Sequence, residues 1–529
     1  MLKGILTVGG WTMASRLLGF ARDMLIAAIL GAGPVADAFF VALKLPNLFR
    51  RLFGEGAFNA AFVPEFTGML AAEGPAAAKR FASESFAVMT FWLLVVTVLG
   101  EIAMPGMIRV LAPGFAATPE KFELAVSLTR ITFPYLILIC LAALVSGVLN
   151  GMERYTAAAA SYVLFNVISI ACMLWLTPYT PTAGHALSWG VTLSGVAQLG
   201  LLMWAAQRAG MGLTLPRPRL TPQVRVLMRR MAPGLVGAGV TQLNLAVDVI
   251  IASLLPAGTV SLLYYADRVQ QLPLGVIGTA VGTAILPMLS RQVRGGEAEA
   301  AIDTLNRAIE YTLVLALPAA LALMVAAEPI MWALFGRGAF DAESAHLSAQ
   351  ALAAYALGLP AFVMVKVLVP AFFARGDTAT PVKIGMMSVA LNLSLNVALM
   401  VPLRHVGPAM ATSLAAIFNV VALGVVLHKR GHLRADAMLR RRVWRMILAS
   451  VAMAVTLYVA QIWLLPMPAN DLMRLLTLAG LVALGLLAYA VATQLSGGYD
   501  LREIPRKLSR RRLRAGGGSA INPASTPET

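Results

Sequence analysis

The chain has 529 residues, of which 59% are apolar and 13% are Asp, Glu, Lys or Arg, about half the charged fraction of an ordinary soluble domain. That composition excludes a soluble enzyme of this length, and the 2 cysteines, Cys140 and Cys172, lie inside apolar runs, which excludes a disulfide framework and a cysteine-based zinc site. The net charge of +17 signals nucleic acid only if it sits away from membrane-flanking positions, so where the basic residues fall decides its meaning.

A bilayer core takes about 20 apolar residues per helix. Apolar runs bounded by Gly, Pro and charge predict helices near 5–30, 36–66, 81–104, 124–149, 157–177, 184–208, 232–255, 260–290, 306–334, 346–374, 381–401, 407–428, 443–465 and 472–494. The expected fold class is an all-α polytopic membrane protein of about 14 transmembrane helices. The first span carries internal arginines and no small-x-small cleavage site, so it reads as a retained helix. With the N-terminus cytoplasmic, 28 basic residues fall inside and 5 outside (Arg109, Lys121, Arg337, Arg404 and Arg474). That bias sets both ends in the cytoplasm and accounts for the charge without nucleic acid.

In chain order, the first span holds Ser15-Arg16 and Arg22-Asp23. At 3.6 residues per turn, pairs seven apart nearly stack, so one side of this helix is polar. Gly31-Ala-Gly-Pro-Val-Ala36 fits a dinucleotide fingerprint formally, but it follows an apolar helix rather than a strand and reads as a short external turn. The second span carries Asp37, Arg50, Arg51 and Glu55 among Pro46, Gly54, Gly56 and Pro64. Residues 21–33, ARDMLIAAILGAG, then return as 246–258, AVDVIIASLLPAG, at an offset of 225. Pro64 and Pro287, Pro105 and Pro329, Asn166 and Asn392, and Gly184 and Gly407 keep nearly the same offset.

Six helices therefore repeat as six, giving lobes 1–215 and 216–435. An even number of spans per unit relates the lobes by a pseudo-twofold along the membrane normal, with the substrate site between them. Residues 436–500 add two helices, and 501–529 are a basic, then disordered, cytoplasmic tail. The eighth span, the repeat-mate of the second, is expected to be broken at Pro273, Gly275, Gly278, Gly282 and Pro287, beside Asp267-Arg268.

An arginine at the centre of a span costs about 2.5–3.5 kcal/mol unless it meets water or a counter-ion. Arg16, Arg22, Arg50 and Arg268 are expected to converge on one cavity, where guanidinium forks suit a phosphate or pyrophosphate. Ser15, Asp23, Asp37, Glu55 and Asp267 would support or gate it. The competing reading makes Asp23, Asp37, Glu55 and Asp267 structural counter-ions of the quartet. Lys44, Arg51, Arg130, Arg307 and Lys366 are expected to snorkel.

Asp248 keeps the carboxylate of its repeat-mate Asp23 but has lost the arginine neighbours. With Asn392 and Asn396, four apart on one helix face, and Thr412, it forms a candidate monovalent-cation site. Two alternatives stand beside it: a proton carrier, and a protonated Asp248 hydrogen-bonded to Asn244 or to an asparagine of the eleventh span.

The run SRLLGFARDMLIAAILGAGPVADAFFVALKLPNLFRRLFGEGAFNAAFVPEF (15–66), with YYADRVQQLPLGVIGTAVGTAILPMLS (264–290), closely resembles the MurJ/MviN family of lipid II flippases, within the multidrug/oligosaccharidyl-lipid/polysaccharide exporter superfamily. The resemblance implies two lobes around an inward-facing cationic cavity in the bacterial inner membrane. It also implies movement of undecaprenyl-pyrophosphoryl disaccharide-pentapeptide to the outer leaflet for peptidoglycan synthesis. The family's essential arginines fall on Arg16, Arg22, Arg50 and Arg268, with Asp37 also matching, and the two extra helices are similar to those forming a groove for the lipid tail. The partners implied are lipid II, membrane lipids and the cell-wall synthesis machinery, with no nucleic acid. No cofactor is implied, and a cation, a proton or the membrane potential would drive the cycle.

Rival classes are a drug or polysaccharide exporter of the same superfamily, an integral membrane polyprenyl-phosphate transferase, and a scaffold recruiting envelope proteins. No Walker A motif occurs, and His428 and His432 lie four apart in a basic loop without a third ligand. Asp341, Glu343 and His346 read as a capped helix start rather than a catalytic cluster, with Asp341 or Ser344 as the cap.

Overall fold

The computed structural model describes residues 2–51, 57–464 and 470–497, and every regular element among them is a helix. In chain order these are α1 (Leu2–Leu30), α2 (Pro34–Arg50), α3 (Ala57–Ala72), α4 (Pro75–Leu111), α5 (Pro119–Thr132), α6 (Tyr135–Gly151), α7 (Tyr155–Leu176) and α8 (Ala183–Arg208). They continue with α9 (Pro222–Ser253), α10 (Thr259–Arg294), α11 (Ala298–Val325), α12 (Ala327–Phe335), α13 (Ala342–Phe373), α14 (Ala379–Leu399), α15 (Gly407–Lys429), α16 (Ala437–Leu464) and α17 (Asp471–Ser496). Among the described residues, 10 helical segments are long and apolar enough to cross a membrane.

The starts are written in the sequence. Proline opens α2, α4, α5 and α9, where its missing N–H is no loss. Asp341, Asp377 and Asp436 cap α13, α14 and α16 by accepting from the backbone N–H groups of Ser344, Thr380 and Leu439. Asp341 is thus the cap of the polar helix start, as one of the two expected residues.

Four expectations need correction. The span at 260–290 is not broken: α10 runs from Thr259 to Arg294 with Pro273 and Pro287 inside it. Each proline removes one ladder bond and bends a helix without ending it when the flanking turns remain paired. The span at 124–149 is instead two helices meeting at Phe133-Pro134, and that at 306–334 divides at Ala326. Arg307 does not snorkel, because it bonds Glu310 and Asp436.

The chain forms two compact units. One comprises Met1–Gln271, Ile330–Tyr355 and Val382–Phe418, and the other Leu272–Pro329, Ala356–Pro381 and Asn419–Thr529. In the first unit α7 packs along α1 and α8, α6 along α8, and α2 along α5. Phe58, Phe62, Phe66 and Phe81 form a run of stacked rings between α3 and α4. Gly31 ends α1 at φ +63, and a Cβ there would lie 2.4 Å from the Ala339 carbonyl oxygen. Gly338, at φ +60, would likewise strike the Ala28 carbonyl at 2.2 Å, the same oxygen that accepts the Ala339 N–H at 2.8 Å. Only glycine combines that backbone with that approach. Residues 31–33 form the short turn that the sequence context indicates, and Pro34–Ala36 already belong to α2.

In the second unit α16 packs on α11 and α17, with Met453, Leu457 and Leu481 as its buried centre. Glu310, fully buried, accepts from both Arg307 and Arg442, and Arg307 also bonds Asp436. This alternating chain fixes the start of α16 to α11. Arg430 bonds Asp377 at 2.6 Å and holds the loop before α14.

Candidate functional site

All of the described site residues belong to the first unit. On α1, Arg22 and Asp23 are both buried, at 8% and 1% exposure. Arg22 donates to Asp23 Oδ1 from Nη2 at 2.9 Å and from Nε at 3.3 Å, and its guanidinium lies 5.3 Å from the Phe165 ring. The other carboxylate oxygen, Oδ2, takes Arg268 Nε of α10 at 2.7 Å. Tyr264, one turn before Arg268, donates to Asp23 Oδ1 at 3.4 Å and accepts from Arg268 Nε at 3.2 Å. The Tyr264 ring stacks on Phe40 of α2 at 3.8 Å.

This arrangement orients Arg268 by its Nε alone. Its two Nη nitrogens have no hydrogen-bond partner among the described residues, and its side chain is 31% exposed. A guanidinium held from behind with its outer edge presented suits bidentate binding of phosphate.

Arg16 is exposed on α1 and has no ion pair among the described residues. Arg50, at the end of α2, donates from Nε to Asn47 Oδ1 at 3.2 Å. Ser15 is bonded through its carbonyl to Asn166 Nδ2 at 3.1 Å. Of the quartet, therefore, the structure joins Arg22 and Arg268 directly through Asp23. Glu55 lies outside the described residues.

Asp37 and Asp267 do not meet the arginine quartet's guanidinium groups in ion pairs. Asp37, 1% exposed, accepts from Lys121 Nζ at 2.8 Å, Gly258 N at 2.7 Å, and Ser261 N and Oγ each at 2.9 Å. Those backbone donors are at the start of α10, so Asp37 caps a helix two hundred residues away and its partner Lys121 is buried against the Phe115 ring. Asp267 accepts from Gln271 of its own helix.

A second polar cluster surrounds Asp248 of α9. Its Oδ1 accepts from Asn392 Nδ2 at 3.0 Å, Asn396 Nδ2 at 3.4 Å and Thr412 Oγ1 at 3.3 Å, and its Oδ2 also lies 3.3 Å from Thr412 Oγ1. Asn392 and Asn396 are fully buried, and the Asn396 Oδ1 oxygen has no hydrogen-bond partner among the described residues. Both asparagines turn their amide nitrogens to the carboxylate, and Asn392 Oδ1 accepts from Asn396 Nδ2 at 3.0 Å, so the cluster is a carboxylate ringed by neutral donors.

Reading the sequence missed Tyr264, Phe165, Lys121 and Ser261. Tyr264 had one signal, its spacing of four from Arg268 on a helix. The other three are brought in by packing between distant segments.

The sequence profile of the lipid II flippase MurJ family matches residues 26–495. The chain belongs to the MurJ lipid II flippase family. A probable lipid II flippase MurJ of Rhizobium meliloti (strain 1021) is 45% identical over 517 residues, covering 96% of each chain. The solved structure of a lipid II flippase MurJ in an inward closed conformation superposes with a TM-score of 0.77 at 23% identity, over 93% of this chain and 98% of that one. An inward-facing multidrug resistance MATE family transporter of the MOP superfamily shares the fold at a TM-score of 0.66, with 14% identity over 83% of this chain and 98% of that one. The MurJ fold is thus one that drug exporters also use, and it is the sequence that separates them. MurJ proteins are transporters, so the transferase reading falls away.

Proposed function

We propose that this protein carries lipid II from the inner to the outer leaflet of the bacterial inner membrane by alternating access. The observation that carries the reading is Arg268, held through Nε on Asp23 beside Arg22, with neither Nη nitrogen hydrogen-bonded among the described residues. In this reading Arg22 and Arg268 grip the pyrophosphate, Arg16 and Arg50 add attraction along the same cavity, and Ser15 and Asp267 shape its wall. Asp37 acts as a gate strut rather than a ligand, since its oxygens are already taken by Lys121 and the start of α10. The chain crosses the membrane fourteen times with both ends cytoplasmic, as lobes 1–215 and 216–435, and the helices of 436–500 shelter the lipid tail. The 28 to 5 bias of basic residues supports that orientation.

Substrate binding alone moves nothing, because a ligand shifts an equilibrium only by its differential affinity for the two states. We assign the bias to a monovalent cation at Asp248, Asn392, Asn396 and Thr412, supported by a carboxylate whose hydrogen-bond partners there are all neutral. The test is rescue of a bacterium depleted of its own lipid II flippase, scored by lipid II exposed on the outer leaflet. Wild-type protein restores exposure, and Arg268→Ala, inserted at normal abundance, does not. Full exposure with Arg268→Ala would overturn the assignment of the site.

A further inference from the structure

One charged stripe lies apart from both clusters described above. Glu123, Ser127 and Arg130 stand at i, i+4 and i+7 of α5 and so share one face of that helix. All three are exposed, and they line a cleft of about 430 Å³ whose apolar wall includes Pro105 of α4, Phe122 and Val126. Neither Glu123 nor Arg130 makes a hydrogen bond or an ion pair among the described residues. Ser127 Oγ lies 3.5 Å from His185 Nε2 of α8. Two further charges stand at the edges of the cleft. The Arg109 guanidinium lies 5.6 Å from the Phe122 ring, and Glu101, one turn before Pro105, has a buried Oε1 without a hydrogen-bond partner among the described residues.

The direction of the stripe matters more than its composition. Both Pro75–Leu111 and Pro119–Gly151 are long and apolar enough to span a membrane, so the turn joining them lies at a membrane surface. At 1.5 Å per residue, Glu123 is about 6 Å and Arg130 about 16 Å along α5 from that surface. An exposed arginine at such depth costs about 2.5–3.5 kcal/mol unless it meets a counter-charge. Side chains of a helix tilt toward its start, which carries the guanidinium back up the stripe toward Ser127 and Glu123. From the surface inward the order is therefore carboxylate, hydroxyl and guanidinium, followed by Leu99 and Ile102 of α4, which are 60% and 72% exposed. A phospholipid with an ammonium head presents the complementary order: ammonium outermost, phosphodiester beneath it, acyl chains toward the midplane. We propose that the α4–α5 cleft is a site for a phosphatidylethanolamine-type lipid. Glu123 accepts from its ammonium, Arg130 and Ser127 donate to its phosphodiester, and its chains run along α4. Around the cleft Glu101 and Glu123 balance Arg109 and Arg130, so an anionic head gains no net attraction, and a choline head has no N–H to give Glu123. In the orientation proposed above, the lipid belongs to the outer leaflet, and only that detail rests on the earlier reading.

The test is native mass spectrometry of delipidated full-length protein titrated with dioleoyl phosphatidylethanolamine, phosphatidylcholine or phosphatidylglycerol. For wild type, the first adduct should form about tenfold more tightly with phosphatidylethanolamine than with either of the others. Glu123→Gln should bring phosphatidylethanolamine down to the phosphatidylcholine level. Arg130→Gln should weaken both about tenfold, and Arg130→Lys should recover part of the loss. A photoreactive phosphatidylethanolamine should label wild type within 98–105 or 122–131. Equal uptake of the three lipids, a preference for phosphatidylglycerol, a Glu123→Gln protein that keeps the wild-type preference, or labelling confined to other helices would overturn the proposal. Lipid II takes no part in these measurements, so their failure leaves the flippase reading standing. Rescue by Arg268→Ala would equally leave this cleft untouched.

Discussion

Asp23 and Asp248 occupy the same place in the two repeats, 225 residues apart, and have opposite company. Asp23 is bracketed by Arg22 and Arg268 and finished by the Tyr264 hydroxyl. Asp248 has Val247 where Asp23 has Arg22, and its partners are the neutral groups of Asn392, Asn396 and Thr412. The asparagines diverge too: Asn166 bonds Ser15, whereas its repeat-mate Asn392 turns to the carboxylate. In our proposal this duplicated position serves two ends: the carboxylate of the first half aims arginines at an anion, and that of the second, with no arginine among its described hydrogen-bond partners, attracts a small cation.

The sharpest way to break the comparison is to remove the carboxylate that aims the arginines. Asp23→Ala leaves two guanidinium groups without their buried counter-ion, a loss of about 3–5 kcal/mol for a pair of this kind. We expect a markedly lower melting temperature and no rescue of a flippase-depleted strain, whereas Arg268→Ala should keep the Arg22–Asp23 pair, fold, and still fail to rescue. Rescue by either variant at normal abundance would mean that the first half does not use its carboxylate in this way.

Next in size is an exchange of character. Val247→Arg places beside Asp248 the neighbour that Asp23 has in Arg22, and it should abolish any sodium-dependent stabilisation of the purified protein while leaving it folded. If sodium still raised the melting temperature to the same extent, the absence of arginine would not be what distinguishes the second site. The milder Asp248→Asn keeps the shape of the side chain and should slow lipid II exposure about tenfold, with the residual rate insensitive to sodium. Persistent sodium dependence in that variant would move the coupling elsewhere.

The smallest effect expected is that of Tyr264→Phe. It retains the stacking on Phe40 at 3.8 Å and loses two long hydrogen bonds, to Asp23 at 3.4 Å and from Arg268 at 3.2 Å, each worth about 0.5–1.5 kcal/mol at most. A two- to tenfold fall in exposure rate with unchanged abundance would fit a residue that steadies Arg268. A complete loss would promote Tyr264 to a direct role in the site.

How much of this was legible beforehand follows from the range of each interaction. Membrane character, helix content, the repeat and the family resemblance were all readable, because hydropathy, capping and motif identity are local properties of the chain. The four arginines stood out for the same reason, each being a charge inside an apolar run. The boundaries were less secure: α10 passes through Pro273 and Pro287, since neighbouring helices can re-satisfy the groups a proline frees.

The sequence by itself determined which charges fall inside apolar runs and that two stretches 225 residues apart carry one motif. Tertiary structure alone decided who pairs with whom. Asp37, named with the arginines from sequence, is spent on Lys121 and on the first turn of α10, and Asp23 is the carboxylate that serves Arg268, 245 positions along the chain. A charge in low dielectric takes whichever opposite charge or oriented dipole the packed helices bring within about 3 Å, and composition and spacing do not encode which one that is.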